Sequence, residues 1–152
     1  MLELLTPSSP YYAMIADDPV RPHLDSQWRS EQGKEVYALF EDQYAEHAPV
    51  LREEPRAIIC VAYTNGVAIT EQDLDRNENP NTAMFYTVWS YDRGAGREIV
   101  LATARHIKAT RDDIYRYVTL SPLTEMAERF HIRNGAQLLD RGTQCQNFEY
   151  LI

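Results

Sequence analysis

The stretch Thr87–Ile107, TVWSYDRGAGREIVLATARHI, decides the fold. It starts as the end of a β-rich run, breaks at Gly94-Ala95-Gly96 and continues in helix-forming residues. Val100, Ala104 and Ile107 recur at helical spacing, with Ile99 and Thr103 beside them, so the spacing predicts a helix over 97–110. A glycine turn entering a helix offers backbone N–H groups and the positive end of the helix dipole, a setting suited to a pyrophosphate. No GK[ST] follows, which excludes a Walker loop. Gly94-x-Gly96 lacks a third glycine and follows a meander, which excludes the Rossmann fingerprint. Taken alone, the two glycines also fit a simple chain reversal.

Upstream, three runs read as strands: Glu35–Glu41, Arg56–Tyr63 and Ala83–Tyr91. The first alternates, with Val36, Ala38 and Phe40 on one face. The second is apolar and β-branched and closes at Asn65-Gly66. The third is rich in aromatic and β-branched residues. Together they predict an antiparallel meander, with the polar stretch Glu71–Asn81 as a loop. MLELL predicts a first strand, and Ser9 with Pro10 predicts the start of a short helix over 10–16. Residues 19–33 show no period, and Trp28 is their expected anchor to the core.

Downstream, Tyr115–Leu120 reads as a strand. Ser121 and Pro122 carry an N-cap and first-turn signal for a helix with Leu123, Met126, Ala127 and Phe130 as its apolar stripe. Asn134-Gly135 ends that helix. Short strands are expected around Ala136–Leu139 and Phe148–Ile152. The order is β-α-β-β-β-α-β-α-β-β, an α/β (α+β) fold with a mixed sheet, expected to form one domain over residues 1–152.

The chain has 152 residues and a formal net charge of -8. Residues 1–80 hold 15 acidic and 6 basic side chains, and residues 81–152 hold 8 and 9. An anionic ligand is therefore expected on the C-terminal half, and a nucleic-acid surface is not. No apolar run approaches the roughly 20 residues that span a bilayer. MLELLTPSSP has no basic region before a long apolar stretch, so the expectation is a cytoplasmic protein. Cys60 and Cys145 make neither a disulfide framework nor a zinc site, and His23 and His47 lack metal-ligand spacing, so no metal is expected. His106 reads as a surface residue and Cys60 as a core one.

Tyr91-Asp92-Arg93-Gly94-Ala95-Gly96-Arg97-Glu98-Ile99 resembles the acyl-CoA signature Q/R-x-x-G-x-G/A of the GNAT superfamily of acyltransferases. Ala127–Ala136, AERFHIRNGA, is similar to that family's second hallmark, A-x-x-F-Y-x-x-x-G-F. One helix and one strand separate the two motifs, as in the family. Tyr91 stands where the family has Gln or Arg, His131 where it often has tyrosine, and Ala136 where it has an aromatic. Thr119-Leu120-Ser121-Pro122 is fainter in its similarity to a segment of malonyl-CoA decarboxylases, whose catalytic domain is GNAT-like.

The resemblance implies a GNAT-like mixed central sheet of about seven strands flanked by helices. It implies acetyl-CoA or another acyl-CoA as the bound thioester. The pantetheine arm would lie between the splayed strands Ala83–Tyr91 and Tyr115–Leu120, along Trp89 and Ser90, with Leu120 and Ser121 on the facing wall. A backbone N–H near Val88 or Trp89 would polarise the thioester carbonyl. Amides from Arg93 through Gly94, Ala95 and Gly96 to Arg97 would hold the pyrophosphate, with both arginines adding charge. His131 would protonate or pair with the leaving thiolate as an imidazolium, its pKa raised at a helix C-terminus; Tyr91, Tyr86 and Tyr117 are substitutes. Glu71, Asp73 or Asp75 would serve as base. A cationic amine acceptor would meet the acidic half. A malonyl-type thioester decarboxylase and a non-catalytic acyl-CoA-binding module are the alternative readings. The flat aromatic strand Ala83–Tyr91 suggests dimer contacts.

Overall fold

The structure is a computed structural model that describes residues 1–41 and 54–152. His47 lies outside the described residues. Strands β1 (Leu2–Leu5), β2 (Lys34–Leu39), β3 (Ala57–Thr64) and β4 (Thr82–Ser90) form an antiparallel meander. The helix α2 (Ala95–Thr110) then carries the chain to β5 (Arg116–Thr119), which pairs parallel to β4. After β5 come the two-residue β6 (Ser121–Pro122), the helix α3 (Glu125–Arg133), and β7 (Gln137–Arg141) and β8 (Cys145–Tyr150); β8 pairs with β5, β6 and β7. The sheet has eight strands among the described residues, in the order β1-β2-β3-β4-β5-β8-β6, with β7 on the flank of β8.

The short strand β6 replaces an expected helix start. Ser121 does not cap α3: as part of β6 it pairs with Gln146 of β8, and the chain turns at Leu123, where the Thr124 N–H donates to the Pro122 carbonyl at 2.8 Å, before the helix begins. Thr124 is the cap, its Oγ1 accepting the Ala127 N–H at 3.2 Å. Gln146 holds this turn by donating from Nε2 to the Pro122 and Thr124 carbonyls at 2.9 and 3.2 Å. Ser9 is likewise no helix cap. Its Oγ accepts the Thr6 N–H at 2.9 Å, and the helix that follows is a 3₁₀ segment, Tyr12–Asp17. The loop Glu71–Asn81 contains a further 3₁₀ turn, Gln72–Asp75, in which Asp73 accepts the Ile69 and Thr70 N–H groups.

β3 is buried along its whole length because both faces of the sheet are covered. On one face α2 packs Ile99, Val100, Ala104 and Ile107 against Tyr37, Ile59, Val61 and Phe85. Among the described residues the other face has no long helix. Residues 6–33 cover it, with Ile15 and Trp28 lying over Val36, Ile58, Met84 and Tyr86. This segment includes the single-turn helix α1 (Ser26–Arg29), which Asp25 caps. Trp28 is the anchor its sequence suggested, edge-on to Tyr86 with ring centroids 5.7 Å apart. β4 lies inside the sheet and is buried from Thr82 to Thr87, so it offers no surface for the expected dimer contact.

A buried ion pair fixes the covering segment. Arg29 Nη1 lies 2.7 Å from Asp18 Oδ2, and the two side chains are 1% and 0% exposed. Asp18 Oδ1 also accepts the Val20 and Arg21 N–H groups at 2.8 and 3.1 Å and the Thr87 hydroxyl at 2.9 Å. Arg29 Nη2 donates to the Arg21 and Leu24 carbonyls at 2.7 and 3.1 Å. Burial would raise the pKa of Asp18, but the bonds from Arg29, Val20 and Arg21 outweigh it and the pKa is lowered. Every charge in the cluster thus has a partner, the condition under which a buried pair is tolerated.

Removing one member should expose the cost of the other. Arg29→Met is expected to lower unfolding free energy by about 3–5 kcal/mol in urea titration, because Asp18 is left buried without its counter-charge. Adding Asp18→Asn should restore part of the loss. A loss under about 1 kcal/mol, the range of an exposed pair, would contradict the clamp.

Candidate functional site

The site begins as an irregularity in β4. The β3–β4 register shifts so that Cys60 faces Thr87 while Val61 faces Phe85, which leaves Tyr86 as the extra residue of a bulge. On its other side β4 pairs with β5 only from Thr82 to Phe85. The last contact there is the Leu120 N–H to the Phe85 carbonyl at 2.9 Å. Beyond it the two chains part. A cleft of about 540 Å³ opens between them, walled by Phe85 to Val88 on one side and Leu120 to Pro122 on the other. Val100 of α2, Met126, Ala127, Phe130 and His131 of α3, and Pro19 and Val20 complete it. The lining is mostly apolar, with Thr87, Ser121, Thr124, His131 and Tyr86 as the side chains bearing polar groups.

The glycine turn stands beside this cleft. Gly94 takes φ +82°, a conformation that admits glycine at no steric cost, and starts α2 two residues before the expected position. Among the described residues no side chain caps the helix. Ala95 N–H closes onto Asp92 O and Glu98 N–H onto Gly94 O, which leaves the Gly96 and Arg97 amides at the uncapped end. A Cβ on Gly96 would lie 3.3 Å from Phe130 Cζ, so the turn is one ring away from the cleft. These features fit an anionic group at the helix start.

Of the residues named from the sequence, Val88, Leu120, Ser121 and His131 line the one cleft. Tyr86, one of the substitutes, does too. Arg93, Gly94 and Arg97 line a second depression of about 590 Å³ on the flank of α2, with Arg56 and Arg105. Arg56 is bound to Asp92 and Glu98 at 3.0 and 2.6 Å. Ala95 is buried beneath the turn. Trp89 belongs to the cluster on the opposite face of the sheet, and Ser90 is exposed and paired in register with Ala57. Tyr91 turns the same way as Trp89. Its hydroxyl accepts Trp89 Nε1–H at 2.9 Å and donates to Asp17 Oδ2 at 2.8 Å. Burial and the Asp17 carboxylate push the Tyr91 pKa up to about 12. Tyr117 sits in the α2-side core and does not line the cleft.

His131 differs from its expectation. It is 6% exposed and stacks on Phe148 at 5.3 Å. Burial pushes its pKa down to about 4, so it is neutral at physiological pH; desolvation outweighs the helix dipole that was expected to raise it. Its Nδ1 lies 2.7 Å from the Tyr150 hydroxyl, whose own pKa burial raises to about 12.

No carboxylate lines the cleft among the described residues. Glu71 is bound to His23 at 2.6 Å and to Arg21 at 3.3 Å, and Asp75 to Lys34 at 2.8 Å. Asp73 is held by its own turn. His106 is exposed against the Tyr37 ring, and Cys60 is buried, its thiol pushed up to about 11 by desolvation. Sequence reasoning missed Pro19, Val20 and Thr87, since nothing in a proline-rich stretch without a period marks it as a wall. Phe130 was visible as an apolar helix residue but not as the backing of the glycine turn.

No protein-family model and no curated protein sequence matches the chain. Solved structures do match. Malonyl-CoA decarboxylase from Agrobacterium vitis superposes with a TM-score of 0.75 at 16% identity, over 100% of this chain and 60% of that one. The chain therefore spans about 60% of the decarboxylase it matches. Arabidopsis thaliana NAA60 in complex with a bisubstrate analogue gives 0.67 at 12% identity, over 100% and 98%, and its acetyl-CoA complex gives 0.66. The GNAT domain of S. lividans PAT gives 0.61 at 12%, over 98% and 88%. The bulged β4, the splay from β5 and the glycine turn into α2 thus sit in the GNAT fold, which acetyltransferases and malonyl-CoA decarboxylases share.

Proposed function

We propose that this chain binds a CoA thioester in the β4–β5 cleft and transfers its acyl group to an amine. The observation that carries the reading is the parting of β4 and β5 beyond Phe85, beside a helix start that no side chain among the described residues caps. An open strand edge accepts the amide groups of an extended pantetheine arm. The Gly96 and Arg97 amides favour the pyrophosphate, and Arg93 and Arg97 add positive charge at the same end. The acetyl-CoA and bisubstrate complexes of NAA60 support this class of ligand.

The chemistry follows from an apolar cleft. An ammonium ion loses hydration on entering it, so the neutral amine is favoured without a carboxylate base. Its nitrogen attacks the thioester carbon, a C–N bond forms, and the C–S bond breaks to release the thiolate. The backbone N–H of Val88, on the edge of β4 that faces away from β3 after the bulge, polarises the carbonyl oxygen. The thiolate takes up the proton the nitrogen gives off. In the tautomer that takes the Tyr150 proton at Nδ1, His131 Nε2–H is a neutral donor for the sulfur. The role is hydrogen bonding, not proton donation by an imidazolium.

Ser121 favours a second reading, decarboxylation of a malonyl-type thioester. It is 3% exposed, lines the cleft, and its Oγ lies 2.8 Å from Thr119 Oγ1, which already accepts the Phe148 N–H. A carboxylate brought among apolar walls is destabilised relative to the carbon dioxide it would release.

Acetyl-CoA at a hundred times its Kd should raise unfolding free energy by about 2.7 kcal/mol. Gly94→Val should abolish most of that shift by straining the turn. If neither CoA, acetyl-CoA nor malonyl-CoA raises the melting temperature at millimolar concentration, the ligand class is wrong.

Incubation with a thioester and no acceptor separates the two chemistries. Carbon dioxide release from malonyl-CoA, lost in Ser121→Ala, is the outcome for the second reading. Amine-dependent thiol release from acetyl-CoA is the outcome for the first.

His131 gives a pH prediction. Its folded pKa of about 4 lies below the ordinary 6.5, so its contribution to stability is full above pH 6.5 and is lost as pH falls towards 4. The loss is on the order of 3 kcal/mol. His131→Phe should flatten that part of the stability profile, and an unchanged slope between pH 6.5 and 4 would refute the neutral buried histidine.

A further inference from the structure

We propose that Arg21 is a positioning residue of the cleft, holding the bulge and the separation of β4 from β8. The inference rests on the acyl-CoA reading above and extends it to a residue that touches no substrate. Arg21 is 4% exposed. Its Nη1 donates to the Tyr86 carbonyl, and its Nη2 reaches Cys145 Sγ at 3.7 Å. These two acceptors belong to β4 and β8, on opposite sides of the opening that starts where β5 ends. One planar guanidinium therefore spans the floor of the splay, a geometry that a lysine ammonium, a single point of charge, does not reproduce.

The Tyr86 carbonyl matters because Tyr86 is the inserted residue. A bulge leaves its extra residue without a ladder partner. Arg21 supplies that partner from the face opposite α2. The neighbouring Thr87 is held from the same side, its hydroxyl donating to Asp18 Oδ1 at 2.9 Å. The orientation of the Val88 amide, the proposed donor to the thioester carbonyl, follows from these two anchors on the residues before it. Arg21 is fixed in turn: Nε lies 3.3 Å from Glu71 Oε1, its N–H is bound by Asp18, and its carbonyl accepts from Arg29.

The test compares acetyl-CoA with S-ethyl-CoA, a thioether that has the same arm and no thioester carbonyl. Wild type should prefer acetyl-CoA. In Arg21→Met that preference should fall by about fivefold, the worth of one hydrogen bond, while S-ethyl-CoA affinity stays within about twofold. Arg21→Lys should fail to restore it. Amide hydrogen exchange at Thr87 and Val88 should accelerate by about tenfold or more in both variants, with Ile59 and Val61 unchanged. Where Arg21→Met does not fold, Arg21→Lys carries both measurements. Unchanged preference and unchanged exchange in a folded variant overturn the proposal. If wild type binds neither compound, the acyl-CoA reading fails, and exchange at Thr87 and Val88 still decides whether Arg21 holds the bulge.

Discussion

Asp18 and Arg29 bring opposite charges together where water does not reach, and the arrangement of the first third of the chain follows from that contact. A carboxylate accepting from Arg29, Thr87 and two backbone amides leaves little freedom to residues 18–29. The pair is costly to bury and is retained because the Asp18 carboxylate and the Arg29 guanidinium are both hydrogen-bonded beyond each other. Through it a segment with only a 3₁₀ stretch and a single-turn helix covers one face of the sheet as α2 covers the other. The same contact delivers Pro19 and Val20 to the rim of the cleft and Arg21 to its floor.

The parts of the fold that repeat a local pattern were legible from residues alone. Ile99, Val100, Thr103, Ala104 and Ile107 are the buried face of α2, as their spacing requires. The alternation Val36, Ala38, Phe40 lies on one face of the sheet. Helix starts were less legible. Ser9 and Ser121 both have the composition of an N-cap, yet each is drawn into another hydrogen bond, Ser9 to the Thr6 amide and Ser121 to Thr119. A cap signal is local, and the strand pairing of Ser121 with Gln146 comes from 25 residues further on.

The candidate cleft was legible in outline: Val88, Leu120, Ser121 and His131, named from the sequence, line it together. Its electrostatics were not. The charge state of His131 depends on Phe130, Phe148 and Tyr150 closing around it, which a position near a helix end does not reveal. Trp89 and Tyr91 follow the alternation of β4 onto the far face, where they meet Asp17. The acidic half of the chain is less of an attracting surface than its count suggests. Asp18 is consumed internally, and Glu71, Asp73 and Asp75 each have partners.

The two coverings of the sheet also differ in when they can form during synthesis. α2 follows β4 directly and packs on strands already made. Residues 6–33 are synthesised before β3 and β4, although Asp18 needs Thr87 and Arg29 needs Cys60. The segment made first is therefore completed late, and until β4 emerges its arginines remain hydrated. A chain halted before residue 87 would have the charges of the clamp without the strand they close upon. In that order the cleft floor is among the last parts of the molecule to be built, after the sheet that frames it.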